Sequence, residues 1–408
     1  MEDALTTSRV RIGRLRRQRA GWLLLALLLA FSVLPGAAAA QDVGPTGLPA
    51  QVAQKIDGSV LAAIAAEGRA SFLVLLAEQA DLSRASQLRT KEEKGRYVYE
   101  TLAATAQASQ AGVLARLRDL DVAHRPLFVV NAVVVESGDL ALAAQLAGRS
   151  DVVRLVANPT VQQPLPAVEA GSPDVAPEAV EWGVTNVNAP QVWSTYGVTG
   201  GGIVIAGQDT GIRWTHTALK EHYRGWNGVA ANHNYNWWDA IHSAPGNVCG
   251  ANSAVPCDDH GHGTHTVGTV VGDDGGSNQI GVAPGAEWIG CRNMNAGNGT
   301  PATYAECFQF FLAPTDLAGL NPNPALAPHV INNSWGCPTS EGCTSATWGV
   351  IQAVQQNLRA AGVLVVASAG NDGSSCGSIS TPLAIFPESF AVGAYNSSNA
   401  IASFSSRG

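Results

Sequence analysis

The chain has 408 residues, 46% hydrophobic and 14% charged, with a formal net charge of −8. That is a globular composition, long enough for two or three domains, without the charge excess of a disordered chain. Six of the 24 basic residues stand in the first 40 against Glu2 and Asp3, leaving 18 basic against 30 acidic side chains in the remainder. Such an acidic body excludes the clustered Lys and Arg that a nucleic-acid backbone needs.

Arg9, Arg11, Arg14, Arg16, Arg17 and Arg19 precede the apolar run from Trp22 to Leu34, which Pro35-Gly36 breaks before Ala38-Ala39-Ala40. A basic stretch, an apolar stretch and small residues in that order predict a secretory signal over residues 1–40. The run falls short of the roughly 20 residues that span a bilayer. No second span follows, so the expectation is a secreted protein without a membrane attachment after signal removal. Cysteine usage agrees with an oxidising compartment. All seven cysteines lie from Cys249 onward, and the short intervals Cys249 to Cys257 and Cys337 to Cys343 suit disulfides, with one thiol left over. No Cys-x-x-Cys pair speaks for zinc.

Residues 45–165 read as a small α+β unit. Ser71 to Leu76 predicts a strand and Lys94 to Leu120 a helix. Leu127 to Val135, rich in β-branched residues, predicts one or two strands around Asn131. Leu140 to Leu146 suits a helix and Asp151 to Val156 a closing strand, giving a ferredoxin-like order. The Pro- and Ala-rich stretch Pro164 to Pro177 is an exposed linker, so residues 166–181 are expected to carry a maturation cut. From Trp182 the chain turns Gly-, Asn- and Trp-rich. Ile203 to Ala206 and Val363 to Ala367 are continuous apolar strands suited to a parallel sheet buried on both faces. Ile351, Val354 and Leu358 recur at helical spacing before Gly362. The class of 182–408 is therefore α/β with a mostly parallel sheet.

Polar groups gather where these elements end. Asp209-Thr-Gly211 follows the Ile203 strand, at the sheet edge where open α/β folds build sites, and its carboxylate suits either a cap or the orientation of an imidazole. His262 stands between two glycines in Asp258-Asp-His-Gly-His-Gly-Thr-His265, and Thr266 to Val271 continues as a buried helix. His260, His262 and His265 also allow metal ligation, although their spacing is not the His-Glu-x-x-His pair. Asn371, after the Val363 strand, offers a primary amide to an oxyanion or serves as a turn residue.

Taken together, Ile203 to Gly211, His262-Gly-Thr-His265, Val330-Ile-Asn-Asn-Ser-Trp-Gly336, Ser368-Ala-Gly-Asn371 and Phe404-Ser-Ser406 resemble, in order, blocks of the subtilisin-like serine peptidase family. Tyr223-Arg-Gly-Trp226 and Tyr235-Asn-Trp-Trp-Asp239 are similar to its bacillopeptidase F-like subgroup. The resemblance implies a subtilisin-like fold with helices on both faces of the sheet, and a peptidase domain over 182–408. His262 would be the general base, Asp209 its orienting acid and Asn371 an oxyanion donor. Ser334, Trp335 and Gly336 would pair with the substrate, Ser368, Ala369 and Gly370 would wall the opposite side, and His265 would be structural. The 45–165 unit resembles the family's inhibitory propeptide. The implied partners are polypeptide substrates and the chain's own propeptide. No cofactor is implied for catalysis, and structural calcium is allowed.

Two features depart from the family pattern. Gly207-Gln208 precedes Asp209 where the family has apolar residues. The family's Gly-Thr-Ser-Met-Ala block, which carries the nucleophile, has no counterpart before Gly408, so the chain as given is expected to be inactive, as a fragment or a peptide-binding relic. Gly373-Ser-Ser-Cys-Gly377 has the form of a nucleophile elbow around Ser375, but its chain order is wrong for that mechanism and no helical pattern follows it.

Overall fold

The computed structural model describes residues 47–165, 180–276 and 278–408. The expected signal, 1–40, and residues 166–179 of the expected linker lie outside them.

Residues 47–165 form an antiparallel sheet covered by helices. After α1 (Ala50–Ala53) and α2 (Gly58–Glu67) come β1 (Ala70–Leu76), α3 (Lys91–Asp119), β2 (His124–Leu127), β3 (Ala132–Gly138), α4 (Leu140–Ala147), β4 (Val152–Ala157) and the short β5 (Val161–Gln162). The sheet order is β2-β3-β1-β4, the arrangement expected from the strand and helix order. Helix α3 starts at a capping box, with Thr90 and Glu93 each accepting the other's backbone N–H. Between β2 and β3 the backbone turns left-handed at Asn131 (φ 45°), a conformation asparagine tolerates. The buried Gln110 of α3 fixes the turn, its Nε2 donating to Asn131 Oδ1 at 3.0 Å.

The second region follows α5 (Trp182–Asn186) and α6 (Ala189–Tyr196) with a six-stranded sheet ordered β13-β12-β11-β6-β8-β7. Its members are β6 (Val204–Asp209), β7 (Trp237–Asp239), β8 (Glu287–Arg292), β11 (Val330–Asn333), β12 (Leu364–Ser368) and β13 (Ser389–Val392), every pair parallel. The pairs β9 (Met294–Asn295) and β10 (Asn298–Gly299) form a small ribbon outside the sheet. Residues alternate along each strand. Ile205 and Trp288 face α7 (His262–Val271), whereas Ala206, Ile289 and Ile331 face α8 (Pro301–Leu312) and α9 (Ser345–Ala360).

The antiparallel region sits on α8 and α9. Val98, Leu102, Val129 and Val130 share one apolar core with Phe308, Phe311, Val354 and Leu358. Polar contacts frame that core. Gln309 Oε1 accepts from Phe128 N at 2.6 Å, Asn357 Nδ2 donates to Val129 O at 2.7 Å, and Asn158 Oδ1 accepts from Ala302 N in the first turn of α8 at 2.9 Å. Thr344, the N-cap of α9, donates to Asp57 Oδ2 at 2.6 Å. Both helix starts therefore receive acceptors from the antiparallel region, where their free N–H groups attract negative charge.

The sheet is not buried on both faces throughout: Leu364, Phe390 and Val392 of β12 and β13 are 48%, 63% and 47% exposed. The faces of these strands turned away from α9 have no covering helix among the described residues. Besides the two short-interval disulfides there is a third, Cys291–Cys307, which ties β8 to α8. Cys376 is free and exposed. Peptide mapping without reductant should return these three pairs, with Cys376 alone alkylated in the native protein; alkylation of the buried Cys291 or a crossed pair would contradict this packing.

Candidate active site

Strand β6 ends by delivering Asp209 into the interior, where it is 2% exposed. Its Oδ1 accepts from Thr210 N and from His262 Nδ1, both at 2.7 Å. Its Oδ2 is buried without a hydrogen-bond partner among the described residues. His262 is the first residue of α7, so the helix start has to lie directly on the strand end. Gly263 permits this: a Cβ there would stand 2.0 Å from Gly211 O and 2.9 Å from Asp209 Cβ. Asp258 supplies the helix start with an anion. Its Oδ1 accepts from Thr210 Oγ1 (2.8 Å), His260 N (3.1 Å) and Gly261 N (2.8 Å). Its Oδ2 accepts from Thr264 N (2.9 Å) and Thr264 Oγ1 (2.5 Å).

Burial pushes the Asp209 carboxyl above the ordinary aspartate value, opposed by its bonds to His262 and Thr210. For His262, burial alone would favour the neutral ring. The bond to Asp209, the charge of that carboxylate and the charge of Asp258 outweigh burial and hold the imidazole above the ordinary histidine value. With Nδ1–H committed to Asp209, the neutral ring presents Nε2 as an acceptor. Nε2 has no hydrogen-bond partner among the described residues. The pair is therefore a basic imidazole with a fixed tautomer.

Segment 161–163 lies antiparallel to β10, with Gln162 opposite Asn298 and Val161 opposite Gly299. Gln163 N donates to Gly297 O (2.8 Å), and Gly336 N donates to Gln163 Oε1 (3.1 Å). Of the expected substrate-edge residues, Gly336 thus contacts the inserted segment directly. Ser334 is half-buried beside it, while Trp335 is 2% exposed and stacks on Tyr304 with ring centres 3.9 Å apart. Ser368 ends β12, Ala369, Gly370 and Asn371 follow it, and Ala369 N donates to Val392 O at 2.8 Å. Asn371 is exposed and makes no hydrogen bond to Asp209 or His262.

The other histidines stay apart from this pair. His265 is exposed on α7, and His260 has a buried Nδ1 without a partner. Among the described residues no group of three or more His, Cys, Asp or Glu side chains is arranged to hold a metal ion. Ser375 lies exposed in a turn with no helix following it. Several residues that shape the site carry no local sequence signal as partners. Thr210 and Asp258 join the strand end to the helix start. The fully buried Arg292 binds Asp239 through Nε (3.0 Å) and Nη2 (2.8 Å), with Asp259 at 3.4 Å from Nη1. The one hint was Asp258 four residues before His262, which marks the turn entering a helix.

Compared with known families, residues 200–408 match the Subtilase family, Peptidase S8. The chain belongs to the subtilase family. This subtilase is 36% identical over 350 residues to bacillopeptidase F of Bacillus subtilis (strain 168), a match covering 81% of the chain but 23% of that protein. It thus spans about a quarter of that relative's length. It is 33% identical over 237 residues to subtilisin Savinase of Lederbergia lenta, covering 57% of this chain and 69% of that one. The fold resembles the crystal structure of the epidermin leader peptide processing serine protease (EpiP) from Staphylococcus aureus, with a TM-score of 0.54 at 13% identity, over 83% of this chain and 72% of that one. At that identity the likeness concerns the fold alone.

The electrostatics of the pair give a direct check. Because the folded value of His262 lies above the unfolded one of about 6.5, the pair's contribution to stability is whole below that pH and fades as pH rises through the folded value. In Asp209→Asn the ring keeps its burial but loses the carboxylate. Its NMR titration should then move from above to below the ordinary histidine value, and an unchanged titration would show that the carboxylate is not what holds the proton.

Proposed function

We propose that this subtilase is a secreted serine endopeptidase made as an inhibited precursor. The observation that carries the reading is the buried Asp209–His262 pair, bonded at 2.7 Å at the carboxyl edge of β6. In this reading a serine hydroxyl attacks the scissile carbonyl while His262 Nε2 takes its proton, later returned to the leaving amine. Asp209 keeps Nδ1–H in place and balances the imidazolium. Asn371 donates to the oxyanion of the tetrahedral intermediate. In this family that serine stands in a Gly-Thr-Ser-Met-Ala block.

Polypeptide substrates add as a strand along β10, contacting Ser334, Trp335 and Gly336 on one side, with Ser368, Ala369 and Gly370 walling the other. We assign 1–40 as a signal, 45–165 as inhibitor and folding aid, 166–181 as the segment cut on maturation, and 182–408 as the peptidase region. The inhibitor assignment is supported by segment 161–163 pairing with β10 and bonding Gly336, while the rest of the unit covers α8 and α9. The chemistry requires no cofactor. Structural calcium is a separate matter, read from the loss of thermal stability on chelation, since calcium also accepts backbone carbonyls as ligands.

The full-length protein, matured, should hydrolyse polypeptides and be inactivated by a serine-directed phosphonate. His262→Ala should lower kcat by about 10⁶-fold, the loss known for removing this base in subtilisin itself, and Asn371→Leu by about 10²–10³-fold. Activity abolished by a chelator yet untouched by the phosphonate would instead favour metal-dependent hydrolysis through His260, His262 and His265. Separately made 41–170 should inhibit the matured enzyme in a concentration-dependent manner; no inhibition would remove the inhibitor assignment.

A further inference from the structure

Gln208, Asn293 and Asn333 are each 0% exposed, three primary amides at or just past the ends of neighbouring strands. They stand in one row across it. Gln208 is in register with Asn333 on β11 and with Cys291 on β8, and Asn293 follows β8 directly. Their bonds run in one direction. Asn293 Nδ2 donates to Gln208 Oε1 (3.2 Å), Gln208 Nε2 donates to Asn333 Oδ1, and Asn333 Nδ2 donates to Val366 O (2.9 Å). The row therefore links β8, β6, β11 and β12. Below it the same face is apolar, through Ala206, Ile289 and Ile331.

The position of the row is informative. Each of its members, like Val366, lies within two residues of a strand end, where the chain goes on to build the site. Asp209 follows Gln208, the ribbon β9–β10 follows Asn293, Ser334 to Gly336 follow Asn333, and Ser368 to Asn371 follow Val366 after one residue. A second link ties Asn293 to the acid, since Asn293 N donates to Asp209 O at 3.0 Å. Apolar side chains in these places would satisfy burial equally well but would leave the strands free to adjust along their axes. Directional bonds between buried amides do not allow that, because a slipped strand would leave buried donors and acceptors unpaired.

We propose that the Asn293–Gln208–Asn333 amide row is a positioning device, which holds the four strand ends at one height and so keeps Asp209 aligned with His262 and with both walls of the substrate groove. Its effect on turnover rests on the peptidase reading above; its effect on His262 does not. Gln208→Met keeps the side-chain length and removes both bonds. Asn293→Ser cuts only the first link, and serves if the other variant does not fold.

In the full-length enzyme each variant is expected to lower kcat by about 10- to 100-fold, the usual penalty for displaced reacting groups, with little change in KM. In the 408-residue chain each is expected to move the NMR titration of His262 downward as the Asp209 contact loosens. A drop in melting temperature with kcat and the His262 titration both unchanged would mean that the row serves stability only, and would overturn the proposal. A full-length protein without peptidase activity would sink the functional reading, while the titration would still decide the role of the row.

Discussion

A carboxylate removed from water has to be compensated where it lies, because burying an uncompensated charge costs several kcal/mol. Asp209, at 2% exposure, meets this demand through Thr210 N and the His262 ring. The rest of the site follows from that requirement. The ring must come from a helix start placed on a strand end, which requires the close approach at Gly263 and an anion, Asp258, for the free N–H groups of the first turn. Asp258 in turn is held by Thr210, the neighbour of the buried acid. Acid, turn and helix are thus one closed circuit of contacts, and none of them can shift alone.

The same rule recurs nearby. Arg292 pairs with Asp209 in strand register while its own guanidinium is neutralised by Asp239 and approached by Asp259. Glu306 of α8 is met by His242 at 2.9 Å and by Trp238 Nε1 at 2.8 Å, and Arg125 of the antiparallel region reaches its other oxygen at 3.0 Å. That last contact joins the two regions through a buried charge, alongside the apolar core they share. Whatever binds the native form of the parallel region in this way stabilises it. The contacts at the starts of α8 and α9 add to that stabilisation.

Much of this was legible in the sequence. The strand and helix order of 47–165, the runs that became β6 and β12, the helix at Thr266 and the two short-interval cysteine pairs are written in local periodicity and spacing. Gln208 was legible only as a departure. Its partners, Asn293 and Asn333, lie 85 and 125 residues away, and only strand register shows that the three amides meet. Cys291–Cys307 escaped notice for a similar reason, since its ends sit on a strand and a helix whose packing no local pattern encodes. The short β13 at the margin of the sheet had no comparable signal, since Ser389–Val392 has a single β-branched residue. Segment 161–163 has no marked propensity, and its antiparallel pairing with β10 arises from the tertiary fit.

That pairing is made by a segment of the same polypeptide, and the covalent connection matters. A tethered ligand faces its site at an effective concentration on the order of millimolar, however dilute the solution. Were the backbone severed downstream of Gln163, the same contacts would become a bimolecular equilibrium, and simple dilution would work against them. Occupancy of β10 would then change from a property of the molecule to a property of its surroundings, falling fastest in a large volume.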